Sequence, residues 1–293
     1  MSASNIIASA RGLTKSFGKT EVLRGIDFDI PAGRIYGLVG QNGAGKTTTL
    51  NALLGLTDSE GQIEILGLNP FKHRAELMND VAFIADVASL PRFLKVRELL
   101  DLMSDIHPSF NQEKAVEFLA SSDVKPNVKI KHLSKGMLAQ LHLAVVMAID
   151  AKLLVLDEPT LGLDIIYRKR FYRRLLEDYM SEDRTVLITT HQVDEIETLL
   201  SDIMFMNDGK IILDTPIEDI SSRFAQVSIG KDSLAEAEKL TPIYTDTRFD
   251  HTVMVFDNVP FAQLEQFGQI STPSLSDLFV ALMQRESAID GEV

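Results

Sequence analysis

Hydrophobic and polar residues alternate near the start of the chain and give way to unbroken hydrophobic runs further on. Residues 26–30 have period two with one apolar face, and residues 62–67 repeat the pattern, so both predict half-buried antiparallel strands. Residues 153–156 and 185–188 are continuous apolar runs of strand length, which is typical of parallel strands covered on both faces. The chain is therefore predicted to combine an antiparallel β-region with a parallel sheet.

Helical spacing occupies the stretches between and after these strands. Residues 92–122 carry apolar positions at helical spacing, and Pro108 divides them into two helices. Further helices are predicted near residues 165–180 and 193–201. Because strands and helices alternate in the second half, we expect an α/β fold with a mostly parallel sheet between helices, and a helical insert at about residues 86–140.

The last part of the chain departs from this rhythm. Residues 203–213, with Asp208-Gly209 in their middle, predict a hairpin, and the alternation stops near Ser221. We therefore expect one domain at residues 1–220 and a small accessory α+β unit at residues 221–293. The accessory unit is predicted to contain two strands, at residues 226–229 and 252–256, and two helices, at residues 233–240 and 274–283.

Composition and charge restrict the classes of function. The 293 residues are 45% hydrophobic, as expected for a globular chain, and the formal net charge of −13 disfavours broad binding to nucleic acid. The absence of cysteine excludes disulfides, thiolate catalysis and Cys-ligated metals. No apolar segment approaches the ~20 residues that cross a bilayer, and residues 1–5 lack the pattern of a signal peptide. We expect a soluble cytoplasmic protein that reaches a membrane only through a partner.

A glycine-rich segment at residues 40–47 reads G-x-x-x-x-G-K-T and lies between an apolar run and a predicted helix. This strand–loop–helix context is the one that a phosphate-binding loop requires. Its glycines let the backbone approach phosphate oxygens, and the helix N-terminus adds partial positive charge. Lys46 would reach the β- and γ-phosphates, and the hydroxyl of Thr47 would bind Mg²⁺. The expected ATP contacts in this loop are Gln41, Asn42, Gly43, Ala44, Gly45, Lys46, Thr47 and Thr48.

Two carboxylates, Asp157 and Glu158, follow the apolar run at residues 153–156. Alone, such a run would more often be a strand that reaches solvent, but a phosphate-binding loop upstream favours a catalytic interpretation. Asp157 is then expected to hold Mg²⁺ together with Thr47, and Glu158 to act as general base on the attacking water. His191 closes the second apolar run and is expected at the same sheet edge, where a ring nitrogen could meet the γ-phosphate and the water.

The order of these motifs resembles the ATP-binding subunits of ABC transporters over about residues 6–220. Residues 133–137, Leu-Ser-Lys-Gly-Met, stand where that family has its L-S-G-G-Q signature, and residues 161–164 resemble its D-loop. His191 matches the switch histidine of the family, and Phe17 matches the aromatic residue that stacks on adenine. The resemblance implies a P-loop NTPase core of the RecA type with an antiparallel β subdomain.

The family resemblance also implies that ATP is sandwiched between two chains. Ser134 is predicted to cap a helix that runs to about residue 149, which creates a second helix N-terminus able to attract phosphate. By the resemblance, Ser134 and Gly136 would bind the γ-phosphate of an ATP molecule held by a second ATP-binding subunit. Asp164 would lie at the seam of that dimer, whose two chains are either two copies or two related chains.

The chain departs from the family pattern in two places. Lys135 and Met137 replace the usual Gly and Gln of the signature, while the two phosphate-binding positions are retained. Asp86 aligns with a Gln that touches Mg²⁺ and the attacking water. A carboxylate at this position could still contact the metal or the water, although it adds negative charge near the phosphates. Our hypothesis is that Asp86 contacts the metal and couples the metal site to the helical insert.

The resemblance implies an ATPase motor that drives transport through a separate integral-membrane subunit, a helix of which the insert would receive. The short accessory unit and residues 273–280 look like those of bacterial exporter subunits. The alternative is a non-transport ABC-type ATPase acting on ribosomes or DNA, although such proteins usually carry two ATP-binding halves or a long coiled coil. A P-loop kinase or GTPase would give the signature and the D-loop no role. The sequence leaves open the cargo, the direction of transport and the role of the accessory unit.

Overall fold

The computed structural model describes residues 5–85, 90–179, 184–247 and 251–290. The strands are β1 (Ile6–Phe17), β2 (Thr20–Pro31), β3 (Ile35–Gly40), β4 (Glu60–Ile65), β5 (Val81–Ile84), β6 (Leu153–Asp157), β7 (Thr185–Thr190), β8 (Asp202–Asn207), β9 (Lys210–Pro216), β10 (Phe224–Ile229), β11 (Tyr244–Thr247), β12 (Thr252–Asp257) and β13 (Ile270–Ser271). The α-helices are α1 (Lys46–Leu53), α2 (Arg74–Leu77), α3 (Val96–Ile106), α4 (Gln112–Ala120), α5 (Lys135–Met147), α6 (Ile165–Arg174), α7 (Ile217–Arg223), α8 (Leu234–Glu238), α9 (Phe261–Leu264) and α10 (Leu275–Asp290).

The central element is a six-stranded sheet with the order β5-β6-β7-β3-β8-β9. Its first five strands are parallel, and β9 returns antiparallel to β8. Every residue of β3, β6 and β7 is buried, because helices and a second sheet cover both faces. The unbroken apolar runs therefore predicted the parallel strands correctly, and the fold is the expected P-loop NTPase α/β core.

An antiparallel sheet of three strands, β2-β1-β4, covers part of the central sheet. The alternating residues of these strands bury one face, including Leu13, Leu23 and Ile63, in a common cluster with Leu50 and Leu53 of α1. The period-two pattern thus predicted this sheet correctly. The cluster fixes α1, and with it the glycine-rich loop that precedes this helix, against the N-terminal sheet.

The helical insert consists of α3, α4 and α5, which pack on one another and on the central sheet. Leu100 of α3, Phe118 of α4 and Leu141 of α5 belong to one hydrophobic cluster with strand residues such as Leu154. The helices end and begin around Pro108 as predicted. The Ser134 side chain caps α5, because its Oγ accepts a hydrogen bond of 3.2 Å from the Met137 amide.

The hairpin of β8 and β9 was predicted correctly, including its turn. Asp208 and Gly209 both have positive φ, 43° and 76°, as a two-residue hairpin turn requires. A Cβ at position 209 would lie 2.4 Å from the Val22 carbonyl oxygen, so this turn is also packed closely against β2. The Arg24 amide donates to the Gly209 carbonyl at 2.9 Å, which joins the two sheets.

The helix predicted at residues 193–201 was wrong. The chain forms two short 3₁₀ turns, Val193–Glu195 and Glu197–Leu199, separated by Ile196. The carboxylates of Asp194 and Glu197 in these turns are engaged by the start of α10. Tertiary contacts therefore override the local helical spacing, which is a weak determinant on its own.

Residues that follow α7 form a second antiparallel sheet with the order β11-β12-β10-β13. It has its own hydrophobic cluster, which includes Val227, Met254, Phe256 and Leu264. Strands β10 and β12 and helices α8 and α10 were predicted. Strands β11 and β13 and helix α9 were not, because each is four residues or shorter. Elements of this length leave no recognisable period in the sequence.

Helix α10 follows this small sheet in the chain and packs against the central six-stranded sheet. Leu275, Leu278 and Leu282 lie on one helical face and are buried in the main hydrophobic cluster. The Phe279 ring meets the Phe205 ring of β8 edge-on, with 5.1 Å between centroids. The first half of α10 is therefore part of the packing around the central sheet.

Replacing Leu278 with Ala is expected to lower the free energy of unfolding by about 2–4 kcal/mol, because the side chain is fully buried and leaves a cavity. Chemical denaturation monitored by circular dichroism measures this change. Val280→Ala on the same helix is the control, because Val280 is 44% exposed and should change the free energy by less than ~0.5 kcal/mol. Equal effects of the two variants would contradict the described packing of α10.

Candidate active site

The glycine-rich loop joins the end of β3 to the start of α1, at the carboxyl edge of the parallel sheet. Gly45, the residue before α1, has φ +110°, a conformation that side chains with a Cβ rarely adopt. A Cβ there would lie 2.9 Å from the Met206 Cε and 3.1 Å from the Val22 carbonyl oxygen. The loop therefore requires glycine at this position, and its amides lie at the N-terminus of α1, where anions are attracted.

Lys46 is the first residue of α1 and is buried, with 7% of its surface exposed. Its Nζ donates to the carbonyls of Gly40 at 2.8 Å and Gln41 at 3.3 Å. The Nζ also lies 3.7 Å from Oε1 of Glu158. Burial lowers the pKa of Lys46, an effect that the nearby Glu158 and Asp157 carboxylates oppose. A partly desolvated cation of this kind interacts strongly with phosphate oxygens.

Asp157 ends β6 and is almost completely buried, with 1% exposed. Its Oδ1 accepts a hydrogen bond of 2.5 Å from the Thr189 hydroxyl, and the two residues are register partners of β6 and β7. Sequence analysis did not assign a role to Thr189. The only indication in the sequence was a hydroxyl residue inside an apolar run just before His191. A buried carboxylate with one hydroxyl donor retains oxygen lone pairs for a cation.

Glu158 follows directly and has φ +47°, an uncommon conformation for a residue other than glycine. Its amide donates to the Thr189 carbonyl at 3.2 Å, which holds this conformation. Its Oε1 lies 2.9 Å from Nδ1 of His191, within hydrogen-bonding distance. The structure thus brings Lys46, Asp157, Glu158 and His191 together at one sheet edge. The positive φ of Glu158 is a form of backbone strain that is concentrated at functional sites.

The side chains around Asp157 fit a magnesium ion that is shared with a substrate. Within the described residues, no group of three or more acidic or histidine side chains is arranged to hold a metal. Mg²⁺ usually takes one or two protein carboxylates and completes its shell with substrate phosphates and water. Asp157 and the exposed hydroxyl residue Thr47 supply oxygen donors of this type. Asp86, the third predicted metal contact, lies outside the described residues.

Phe17, the predicted adenine-stacking residue, lies at the end of β1 and is 55% exposed. The Nζ of Lys15 lies over its ring, 4.9 Å from the centroid. The same Nζ pairs with Asp58 at 2.5 Å, and this pair lowers the pKa of Asp58. An exposed ring held on a rigid strand has a free face available for stacking.

The signature segment opens helix α5 at the surface. Ser134 and Lys135 are exposed, and a Cβ placed on Gly136 would lie 3.5 Å from the Gly162 carbonyl oxygen. The signature therefore lies next to the D-loop of the same chain. A cavity of about 580 Å³ separates α5 from the end of β6, and its lining includes Lys135, His142, Asp157, Glu158 and Gly162. Burial lowers the pKa of His142 to about 4, so its ring is neutral near pH 7.

Asp164 starts helix α6, because its Oδ1 accepts hydrogen bonds from the amides of Ile166 and Tyr167. One turn later, the Arg168 Nε donates to the Leu163 carbonyl at 2.9 Å. The guanidinium also donates to the Gln192 side chain at 3.1 Å and forms an ion pair with Glu195.

Arg168 therefore ties the D-loop to the segment that follows His191. Sequence reasoning missed this residue. Its position four residues after Asp164 placed it near the D-loop, but its partners 24 and 27 residues later could not be identified from the sequence.

The segment after His191 is also fixed from its other side by the start of α10. Ser276 Oγ donates to Asp194 Oδ1 at 2.6 Å, and the Leu275 amide donates to Glu197 Oε1 at 3.2 Å. Charge-assisted hydrogen bonds of this kind are stronger than neutral ones. Arg168 and α10 together hold the chain that positions His191.

Comparison with known proteins agrees with this geometry. Residues 23–161 match the family described as ABC transporter. The chain is 34% identical over 221 residues to the bacitracin transport ATP-binding protein BcrA of Bacillus licheniformis, which covers 74% of this chain and 72% of that protein. It is 31% identical over 292 residues to the Nod factor export ATP-binding protein I of Paraburkholderia xenovorans, with 93% and 95% covered. Because it covers 93% of this chain, the second similarity extends into the C-terminal unit.

The fold is also found among solved structures. The structure of an ATP binding subunit of an ABC transporter superposes with a TM-score of 0.67 at 22% identity, covering 73% of this chain and 91% of that one. At this identity the likeness shows the fold. None of the helices within the described part of the chain combines the length and the hydrophobicity that a membrane span requires.

Replacing Arg168 with Gln is expected to loosen residues 191–197, because it removes an ion pair and the hydrogen bond to the Leu163 carbonyl. Hydrogen bonds to charged groups contribute about 1.5–3 kcal/mol, so amide protection in this segment should fall roughly ten-fold or more. Hydrogen–deuterium exchange measures it. Arg173→Gln, an exposed position on the same helix, is the control. Unchanged exchange in Arg168→Gln would show that the arginine does not hold the segment.

Proposed function

The chain belongs to the ABC transporter family of ATP-binding subunits, and from that premise we propose that it powers export through a separate membrane subunit. It is an ABC-type ATPase: it binds ATP, and hydrolysis of ATP drives transport. The proposal assigns the ATP-binding domain to residues 1–220, with the helical insert at about residues 86–140. Residues 221–293 form the accessory unit.

The observation that carries the proposed mechanism is the meeting of Lys46, Asp157, Glu158 and His191 at one sheet edge. Glu158 accepts a proton from water as the water oxygen forms a bond to the γ-phosphorus. The bond from that phosphorus to the β–γ bridging oxygen breaks, and ADP and phosphate are released. Lys46 and the amides of the loop stabilise the charge on the phosphate oxygens. His191 holds the Glu158 carboxylate in place through Nδ1.

A magnesium ion fits this site as a cofactor, held by Thr47 and Asp157. When bound, Mg²⁺ neutralises charge on the β- and γ-phosphate oxygens. The same proposal places Phe17 against the adenine ring and Asp86 next to the metal. The loop residues that would contact ATP are Gln41, Asn42, Gly43, Ala44, Gly45, Lys46, Thr47 and Thr48.

We propose that a second ATP-binding subunit, either another copy or a related chain, completes the site. Ser134 and Gly136 of each subunit would then cap the γ-phosphate bound to the other, and Asp164 would lie at the seam. The exposed N-terminus of α5, which is 13 residues long, supports this arrangement because a helix N-terminus attracts phosphate. The short distance from Gly136 to the Gly162 carbonyl oxygen supports a common surface for the residues that we assign to the signature and to the D-loop.

The membrane partner follows from the family, since ATP-binding subunits of transporters act on a membrane component. We place the chain at the cytoplasmic face of the plasma membrane, held there by that partner. The relative named for Nod factor export supports export as the direction. The strongly acidic balance of the chain supports a function that does not involve nucleic acid.

Replacing Glu158 with Gln is expected to lower ATP hydrolysis by roughly 10²–10⁴-fold, the usual effect of removing a general base. ATP binding should be retained, because the amide still fits between Lys46 and His191. Phosphate release measures hydrolysis, and light scattering with MgATP measures whether the chains pair. Glu218→Gln, at an exposed position of α7, is the control. Full turnover in Glu158→Gln would refute the assigned role.

Replacing Lys46 with Ala is expected to weaken ATP binding by about ten-fold or more, because it removes the buried cation that faces the phosphates. Isothermal titration calorimetry measures the affinity. Lys72→Ala removes an exposed lysine and should leave the affinity unchanged. Equal affinity of the Lys46 variant and the unmodified protein would contradict the proposed phosphate contact.

A further inference from the structure

The start of helix α10 is fixed by its own sequence. Pro273 is buried, and Ser274 precedes the first helical residue, Leu275. The Ser274 Oγ accepts a hydrogen bond of 3.1 Å from the Asp277 amide and donates to Asp277 Oδ2 at 2.9 Å. A cap of this kind satisfies a backbone amide that has no partner inside the helix. The positions of Leu275 and Ser276 in the first turn are therefore well defined.

Two groups in this first turn bind the segment of residues 192–197, which follows the histidine of the site. The Ser276 Oγ donates to Asp194 Oδ1 at 2.6 Å, and the Leu275 amide donates to Glu197 Oε1 at 3.2 Å. Carboxylates at the N-terminus of a helix are also stabilised by the partial positive charge there. The 192–197 segment is thus bound to α10 through two carboxylates.

Buried side chains join the same two parts of the chain. Val193 and Ile196 of the 192–197 segment are buried in the main hydrophobic cluster, and so are Leu275 and Leu278 of α10. Helix α10 also packs directly on the first 3₁₀ turn of the segment. Because close-packed interiors transmit strain, a displacement of α10 is expected to move this turn with it.

The other half of α10 is joined to the accessory unit. Asp257 ends β12, and its side chain is 10% exposed. Arg223 of α7 donates to this carboxylate at 2.8 and 3.1 Å, and Arg285 of α10 donates to it at 3.1 Å. Burial tends to raise the pKa of Asp257, but the two guanidinium groups hold this pKa below its ordinary value. Helix α10 therefore connects the accessory sheet to the 192–197 segment.

His191 leads from the 192–197 segment to the reacting atoms. Its Nδ1 lies 2.9 Å from Oε1 of Glu158. The His191 side chain is 34% exposed, so packing does not enclose its ring, and the backbone of the adjoining segment decides where the ring lies. A displacement of about 1 Å in a catalytic arrangement can lower the rate by up to ~10²-fold. Small movements of the segment are therefore large enough to affect hydrolysis.

We propose that the accessory unit controls the rate of ATP hydrolysis through α10, with Ser276 as a positioning residue for the pair of His191 and Glu158. This inference rests on the proposed function, in which Glu158 is the general base. While Ser276 holds Asp194, the His191 ring keeps the Glu158 carboxylate directed at the water. When α10 shifts, ATP stays bound but is hydrolysed slowly. The accessory unit is then a regulatory module of the ATPase.

The location of the contact favours a kinetic role over a structural one. Buried leucines already fix α10 to the core, whereas the bond from Ser276 to Asp194 joins exposed groups. A hydrogen bond between exposed groups competes with water and adds little to stability. The ATP contacts that we propose all lie at residues 17–48, 134 and 136. Loss of the bond should therefore affect hydrolysis and leave ATP binding intact.

Replacing Ser276 with Ala in the full chain is expected to lower kcat by about ten-fold and to change KM for ATP by less than about two-fold. Ser276→Thr keeps the hydroxyl and should restore most of the rate. The matched control is Ser222→Ala, which removes a hydrogen bond of 2.9 Å at an exposed position of α7. Phosphate release over a range of ATP concentrations measures both constants. An unchanged kcat in Ser276→Ala, or an equal loss in Ser222→Ala, would overturn the proposal.

The route through His191 is tested by combining substitutions. In the background of His191→Ala, Ser276→Ala should cause no further loss of rate, because the residue through which Ser276 acts is absent. Single-turnover measurements with protein in excess over radiolabelled ATP give the slow rates. If Ser276→Ala lowered the rate by the same factor in both backgrounds, its effect would be purely structural and the proposal would be wrong.

Asp257→Asn tests the link to the accessory unit at a distance from the ATP site. It weakens two arginine pairs, so amide exchange at residues 275–277 and 191–197 should rise and kcat should fall. Asp29→Asn weakens an arginine pair of 2.6 Å in the N-terminal sheet and is the control. Circular dichroism checks folding, and Arg285→Gln is the milder variant should Asp257→Asn unfold. An unchanged kcat in the folded variant would show that the accessory unit does not control hydrolysis.

Hydrogen–deuterium exchange separates a failure of this proposal from a failure of the proposed function. Ser276→Ala should increase exchange at residues 191–197 whether or not the chain turns over ATP, and unchanged exchange would contradict the proposal. If Ser276→Ala hydrolysed ATP at the full rate while Glu158→Gln did not, the positioning role alone would be wrong. If Glu158→Gln also retained full turnover, the assigned general base would be wrong as well.

Discussion

The structure depends on the convergence of parallel strands at one edge of the central sheet. Strands β3, β7 and β6 are neighbours, and they end at Gly40, Thr190 and Asp157. Because parallel strands present their carboxyl ends at the same edge, the glycine-rich loop, the two acidic residues and His191 meet although they are far apart in the chain. The uncommon backbone conformation of Glu158 is supported by the buried strands beneath it.

A second layer of contacts controls the segment that carries His191. Arg168 joins the D-loop to Gln192 and Glu195, and the start of α10 engages Asp194 and Glu197. Helix α10, which follows the small accessory sheet, is therefore in contact with the segment next to His191. The two 3₁₀ turns at this point are the structural consequence, since all three of their carboxylates, those of Asp194, Glu195 and Glu197, make tertiary contacts.

Charge is distributed unevenly along this chain. The formal net charge is −13, whereas residues 90–97 and 124–135 contain seven Lys and Arg residues and no Asp or Glu. These two segments lie side by side in the helical insert, joined by backbone hydrogen bonds such as the one from the Val96 amide to the Val128 carbonyl.

The sequence alone determined the elements whose pattern is long and local. Period-two and continuous apolar runs identified both main sheets, Asp208-Gly209 identified the hairpin turn, and the G-x-x-x-x-G-K-T segment identified the phosphate loop. The expectation that Glu158 and His191 share a sheet edge needed only the rule that parallel strands end together. These features could be read because each depends on neighbouring residues or on a simple topological rule.

Only the tertiary structure decided the rest, because the contacts join residues far apart in the chain. The support of Asp157 by Thr189, the link from Arg168 to Glu195 and the packing of α10 beside Phe205 have no counterpart in local spacing. The same contacts replaced the helix predicted at residues 193–201 with two short turns. Local propensity contributes a few tenths of a kcal/mol per residue, about the size of a single weak contact, so several tertiary hydrogen bonds and buried side chains outweigh it.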